Sequence, residues 1–159
     1  MSYKAFVLTS SDSGYAGERE DLSGPLAMDM LREAGWEIAG YALLPDDRLR
    51  LADKLREVCD GGEADLLITT GGTGFSKRDC MPEATADAAE RMVPGIPEAM
   101  RWYSLQITPR AMLSRAAAGI RGNTLIVNLP GSPKAVKENL SAILDTLEHA
   151  VHMMRGHGH

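Results

Sequence analysis

The sequence predicts an α/β fold in which a mostly parallel central sheet is covered by helices on both faces, and three observations lead there. Short apolar runs of strand length recur at Ala5-Phe6-Val7-Leu8, at Leu66-Leu67-Ile68 and inside Thr124–Leu129, as expected for strands buried on both sides. Between them lie segments whose apolar residues return every three or four positions, the spacing of one helix face. Turns rich in glycine, proline and aspartate follow the strand ends. Strands alternating with helices in this way build a parallel sheet between helical layers, and ligands of such sheets bind beyond the carboxyl ends of the strands.

Each element has its own local reason. Lys4 to Ser10 is the first strand, and a polar loop is expected from Ser11 to Asp21. Ser23-Gly24-Pro25 signals a helix start, Ala27, Met30, Leu31 and Ala34 form its apolar stripe, and Gly35 ends it. Trp36 to Leu44 has strand character until Pro45-Asp46-Asp47 halts it. Leu51, Leu55 and Val58 then recur at helical spacing up to Gly61-Gly62. Leu66 to Thr70 is a strand that delivers a glycine-rich loop. Pro82 opens a helix with the stripe Ala84, Ala88 and Met92, closed by Pro94-Gly95-Ile96-Pro97. Short helices are expected over Glu98 to Ile107 and Pro109 to Ala118. After the last strand, Ser132 as N-cap and Pro133 at the first position open a long helix. Its stripe is Val136, Leu140, Ile143, Leu144, Leu147, Val151 and Met154.

With 159 residues, the chain reads as one domain over 1–159, and no repeat, linker or low-complexity stretch divides it. A short His/Gly tail occupies 155–159. Hydrophobic content of 44% with 25% charged residues disfavours disorder and membrane classes. No apolar stretch is long enough to span a bilayer and no secretory segment opens the chain, so a cytoplasmic protein without a membrane partner is expected. The net charge of −5 argues against nucleic acid, whose binding needs a basic face. Cys59 and Cys80 have neither zinc nor redox spacing and read as reduced thiols. No histidine near Cys80 is placed to activate it, so packing is its expected role. His149, His152, His157 and His159 cluster at the C-terminus and are expected to be solvated.

The loop Thr69-Thr70-Gly71-Gly72-Thr73-Gly74-Phe75-Ser76-Lys77-Arg78-Asp79 is the densest functional signal. Its glycines let successive peptide N–H groups turn toward one anion. It fits neither the Walker loop, which places lysine directly after the last glycine, nor the dinucleotide fingerprint, whose third glycine is missing. In isolation the plainer reading is a strand-to-helix turn with no ligand. In a parallel sheet, however, the segments Ser10 to Asp21, Pro45 to Asp47, Gly71 to Asp79 and Pro130 to Pro133 converge on one rim. That rim gathers Asp12, Asp46, Asp47 and Asp79, which repel phosphate unless a cation lies between. Magnesium, bound by one or two carboxylates plus phosphate oxygens, is the natural cation. Asp47 is placed to cap the following helix, and Asp12 or Asp79 can serve as Asx-turn residues. Asp46 and Asp79 are the functional candidates. Lys77, Arg78 and Arg115 would draw in a phosphate against the overall negative field.

Thr70-Gly71-Gly72-Thr73-Gly74 with Arg78-Asp79, then Met112-Leu113-Ser114-Arg115 before Gly119-Ile120-Arg121-Gly122, then Asn128-Leu129-Pro130-Gly131-Ser132-Pro133 closely resemble the molybdopterin adenylyltransferase family. Ser11-Asp12, Asp21 to Pro25, Pro45-Asp46-Asp47 and Pro94-Gly95 extend the resemblance from about Phe6 to the final helix. It implies a three-layer αβα sandwich and the transfer of AMP from ATP to the terminal phosphate of molybdopterin, with release of pyrophosphate, during molybdenum cofactor biosynthesis. It implies Asp46 and Asp79 as the essential acidic residues holding Mg2+, and Ser114 as the pterin-site serine. Gly71, Gly72, Thr73 and Gly74 with Pro130, Gly131 and Ser132 would line the nucleotide and phosphate pocket. Arg115 would neutralise phosphates, and Asp12 and Ser104 are further binding candidates. A homo-oligomer, trimer or hexamer, and contact with other cofactor-biosynthesis proteins are implied as well. The alternative function is a molybdopterin-binding carrier or assembly protein that does not adenylylate.

Overall fold

The computed structural model describes residues 2–156. The elements, in chain order, are β1 (Lys4–Ser10), α1 (Asp12–Tyr15), α2 (Ser23–Glu33), β2 (Glu37–Leu44), α3 (Arg48–Asp60), β3 (Leu66–Thr70), α4 (Met81–Ala88), β4 (Arg91–Met92), α5 (Gly95–Leu105), a 3₁₀ turn (Pro109–Leu113), β5 (Ala118–Arg121), β6 (Thr124–Leu129) and α6 (Pro133–Met154). The six strands form one sheet in the order β2-β1-β3-β6-β5-β4. β2, β1, β3 and β6 run parallel, while β5 and β4 continue the sheet antiparallel.

The period-two geometry of the central strands divides the core between two faces. Ala5 and Val7 of β1, Leu66 and Ile68 of β3, and Leu125, Val127 and Leu129 of β6 share one core with Ala27 and Leu31 of α2, Met100 of α5, and Val136, Leu140, Ile143, Leu147 and Val151 of α6. Phe6, Leu8, Leu67 and Ile126 point the other way, onto Leu51, Leu55 and Val58 of α3 and Met81, Ala84 and Ala88 of α4. Helices therefore cover both faces, giving the expected three layers. β2 is an edge strand, and its alternation of exposed and partly buried residues reflects that position.

Helix ends follow the sequence rules in several places. Asp47 accepts from the N–H of Arg50 and caps α3, and Ser132 accepts from the N–H of Ala135 with Pro133 opening α6. At α2 the N-cap is Leu22, and Asp21 before it accepts from the first-turn N–H groups of Ser23 and Gly24, both at 3.1 Å. Elsewhere the structure corrects the expectation. The loop after β1 begins with the short helix α1, capped by Ser11. The fourth helix stops at Ala88, and Met92 lies in β4 rather than on a helical stripe. The helix expected from Glu98 onward begins earlier, at Gly95 itself.

The helix expected over Pro109 to Ala118 is only one 3₁₀ turn, after which the chain runs extended into β5. Its backbone donors find other acceptors. The N–H of Arg115 donates to the carbonyl of Thr73 at 2.8 Å, and that of Ala117 to the side-chain oxygen of Asn128 at 3.1 Å. Asn128 is fully buried, and its amide nitrogen donates to the hydroxyls of Thr69 and Thr85. This network holds the 114–117 segment against the glycine loop.

Candidate functional site

Because β2, β1, β3 and β6 are adjacent and parallel, the segments leaving their carboxyl ends meet along one rim. The N–H of Ser11 donates to the carbonyl of Leu44, and that of Gly71 to the carbonyl of Leu129. The hydroxyl of Ser23 donates to the carbonyl of Gly131. Gly71 adopts φ +88, and a Cβ there would stand 2.4 Å from the carbonyl oxygen of Ser10. Only glycine lets β3's exit pass so close to β1's.

Two clefts open on this rim and share Gly131 and Ser132. The first, of about 450 Å³, is bounded by Gly72, Thr73, Gly74 and Asp79 of the glycine loop and by Pro130, Gly131 and Ser132. Its remaining wall comes from α5, the 3₁₀ turn and α6, with Arg101, Ser104, Thr108, Arg110, Ser114 and Asn139. The second, of about 350 Å³, lies between β1's exit and the start of α2, with Ser10, Ser11, Arg19, Ser23 and Gly71 on its lining.

Asp79 faces the first cleft. Its carboxylate accepts from the N–H of Ser76 at 3.0 Å and makes no ion pair among the described residues. Asp46 lies at the end of β2, outside the lining of either cleft. It accepts from the hydroxyl of Ser10 and from the N–H of Asp12 at 3.1 Å, while its own N–H donates to Asp12 Oδ1 at 2.9 Å. Asp12 is also held by both Nε and Nη2 of Arg78 at 2.9 Å, and that guanidinium keeps its carboxyl below the ordinary value. Arg78 therefore ties the glycine loop to the β1 exit. Asp46 in turn is close enough to Arg78 to raise its affinity for a proton, so 12, 46 and 78 form one charged corner beside the loop that carries Asp79.

Arg115 is committed to the loop rather than turned into the cleft. Its Nε donates to the carbonyl of Gly74 at 2.8 Å, Nη2 to the carbonyl of Asp79 at 3.0 Å, and Nη1 to Glu83 at 2.6 Å. The guanidinium beside Glu83 holds that carboxyl below its usual value. Two of the three basic residues that the sequence suggested for phosphate contact, Arg78 and Arg115, are thus fixing the loop's shape.

Several cleft hydroxyls keep capacity for a ligand, Ser104 and Ser114 among them. Ser104 Oγ is buried, lines the first cleft and has no hydrogen-bond partner among the described residues. Ser114 Oγ accepts from the N–H of Ala116 at 3.3 Å, which leaves its own proton to donate. Asn139 was not foreseen, although a polar residue on the otherwise apolar stripe of α6 is the signal that finds it. It is buried, donates to the carbonyl of Ala135 at 2.7 Å and lines the cleft.

Other candidates fall outside this rim. Burial pushes the Cys59 thiol up to about 11 and also raises Cys80, so neither presents a thiolate at neutral pH. His152 Nδ1 and the hydroxyl of Tyr3 are 3.0 Å apart, so this histidine is engaged on the protein rather than solvated. His157 and His159 lie outside the described residues. No described helix is long and apolar enough to cross a membrane.

Comparison with known proteins places this rim in context. Residues 6–149 match the family described as "Probable molybdopterin binding domain". A molybdopterin adenylyltransferase of Helicobacter pylori strain J99 is 41% identical over 152 residues, covering 94% of this chain and 86% of the relative. The crystal structure of the molybdopterin biosynthesis enzyme MoaB from Thermus thermophilus superposes with a TM-score of 0.92 at 44% identity, covering 98% of each chain. The tungsten cofactor synthesizing protein MoaB from Pyrococcus furiosus superposes with a TM-score of 0.88 at 35% identity, over 97% of this chain and 98% of that one.

Proposed function

The chain belongs to the molybdopterin-binding family of molybdenum cofactor biosynthesis, and we propose that it acts there as a molybdopterin adenylyltransferase, moving AMP from ATP to the terminal phosphate of molybdopterin. One observation carries this reading: a cleft whose wall joins a strand-end glycine loop and Asp79 to an unpartnered buried hydroxyl, Ser104. A turn that only connected β3 to α4 would need neither the cleft nor the orphan.

In the reaction an oxygen of the pterin phosphate forms a bond to the α-phosphorus of ATP while the bond from that phosphorus to the bridging oxygen breaks, and pyrophosphate leaves. The attacking oxygen is already ionised near neutral pH, so no general base is required. The obstacle is the accumulation of negative charge. Asp79 lines the cleft with no cationic partner among the described residues, which fits a magnesium ion held by one or two carboxylates plus phosphate oxygens. Asp46 and Asp79 would hold it, and it would supply charge neutralisation between the two polyanions. The chain itself does the positioning. Gly131 and Ser132 form the edge shared by the two clefts, Gly72 to Gly74 and Pro130 line the first and Gly71 the second, and Ser104 and Ser114 hydrogen-bond the ligand. Wild-type protein given Mg-ATP and purified molybdopterin is expected to release one pyrophosphate per adenylylated pterin. Tight pterin binding with no pyrophosphate would show a carrier instead.

We also propose that the protein is a homo-oligomer, a trimer or a hexamer, working in the cytoplasm. Trp102 at 68% exposure and Met112 at 64%, with Leu105, Ile107 and Leu113, leave more apolar surface in one segment than isolated exposed side chains explain. Light scattering on wild type should give a mass of three chains or a multiple, and Trp102→Glu should shift it toward one. A monomeric wild type at micromolar concentration would refute the assembly.

A further inference from the structure

Arg78 and Arg115 are committed to Asp12, Glu83 and loop carbonyls, yet the first cleft is not without positive charge. Arg101 of α5 and Arg110 of the 3₁₀ turn both line it. Arg101 is half-buried. Its Nη1 donates to the carbonyls of Ala116 at 3.0 Å and Ser114 at 3.3 Å, and it forms no ion pair among the described residues. The side chain of Arg110 makes neither a hydrogen bond nor an ion pair among the described residues, while its backbone N–H donates to the Thr108 hydroxyl at 3.3 Å. Two carboxylates share the lining, but neither is paired with these arginines: Glu138 lies 4.0 Å from Lys134, and Asp79 accepts from the N–H of Ser76.

A partly desolvated guanidinium held by carbonyls, with no anion beside it, is costly until an anion arrives. Its unused Nε and Nη2 present the fork that matches phosphate oxygens. The unpartnered hydroxyl of Ser104 lies three residues further along the same helix and lines the same cleft. The carbonyl contacts hold Arg101 in place, so little side-chain entropy is lost on binding. Arg110 adds a second charge from a segment fixed by Pro109 and the Thr108 cap.

We propose that Arg101 and Arg110 bind a phosphate oxyanion of the substrate in the first cleft, an assignment that rests on the adenylyl-transfer reading and replaces Arg78 and Arg115 as the phosphate contacts. The phosphate belongs either to molybdopterin or to the nucleotide, and a binding experiment separates the two. Affinities of wild type, Arg110→Gln, Arg101→Gln and Arg101→Lys are measured by calorimetry for molybdopterin, for a non-hydrolysable Mg-ATP analogue and for adenosine, at low and at physiological salt. Arg110→Gln should weaken one of the two phosphate-bearing ligands about tenfold and flatten its salt dependence, leaving adenosine unchanged; the ligand that weakens identifies the phosphate. Arg101→Lys should retain more affinity than Arg101→Gln. Wild-type affinity of Arg110→Gln for both phosphate-bearing ligands, or equal loss in the two Arg101 variants with a lowered melting temperature, would overturn the assignment. Pyrophosphate release by wild type is followed in parallel, so a chain that binds these ligands without turnover fails the adenylyl-transfer reading and not the arginine contacts.

Discussion

Asp79→Asn is expected to lower the rate of pyrophosphate release about a hundredfold or more while leaving the melting temperature close to that of wild type. The carboxylate accepts from the N–H of Ser76, and the carboxamide oxygen of asparagine can accept the same bond, so the turn is preserved. What disappears is the negative charge facing the cleft, on a residue with no cationic partner among the described residues. Removing one preorganised electrostatic contact to a transition state typically costs about two to three orders of magnitude in turnover. An unpaired, partly exposed carboxylate contributes within about 0.5 kcal/mol to stability. Asp46→Asn should look different. Asp46 accepts from both the Ser10 hydroxyl and the N–H of Asp12, so asparagine must turn its NH2 to the Ser10 oxygen, which can reverse and accept, and two charge-assisted bonds become neutral ones at a cost of about 1 kcal/mol. Turnover and stability should therefore fall together at 46 and separate at 79. Near-wild-type turnover in Asp79→Asn, measured with saturating Mg-ATP and pterin, would remove this carboxylate from the reaction.

The contrast between those two aspartates was not legible in the sequence, where both stand at a strand exit followed by a turn. What could be read was whatever local chemistry decides alone. The apolar runs of β1, β3 and β6 have one place to go, and their alternate residues divide between the two cores. Asp47 and Ser132 cap because cap chemistry depends on the next three residues. β4 and β5 were missed for the opposite reason. Arg91-Met92 and Ala118-Gly119-Ile120-Arg121 are too short and too mixed to carry a period. They become strands through their partners: Met92 pairs with Gly119, where any larger side chain would meet Ala89 Cβ at 2.6 Å. The fate of the basic residues was hidden in the same way. A sequence shows that Arg78 and Arg115 lie beside a glycine loop or a serine. It does not show that Asp12, 66 positions away, and Glu83, 32 positions away, would take their guanidinium groups. That is also why Arg101 and Arg110, in an expected helical stretch without a motif, gave no signal.

Gly71→Ala should lower stability by about 3 kcal/mol or more and disturb the edge shared by the two clefts. Two costs add. At φ +88 an L-residue pays about 1–2 kcal/mol for the left-handed conformation. The new methyl would also stand 2.4 Å from the carbonyl oxygen of Ser10, and that atom belongs to the backbone and cannot rotate away. Either the end of β1 or the exit of β3 must move. The same shift would strain the bond from the N–H of Gly71 to the carbonyl of Leu129 and the approach of Gly131, where a Cβ would lie 3.3 Å from Gly71 Cα. For a domain of this size 3 kcal/mol corresponds to roughly 6–12 °C in melting temperature. Gly17→Ala supplies the control. Gly17 has a similar dihedral, φ +78, but no atom lies within 4 Å of where its methyl would stand, so it carries the conformational cost alone, about 1–2 kcal/mol. The difference between the two melting temperatures isolates the contact between β1 and β3. Equal shifts for both substitutions would mean that the strand exits do not approach as closely as this rim requires, and the shared edge on which both clefts depend would be lost with them.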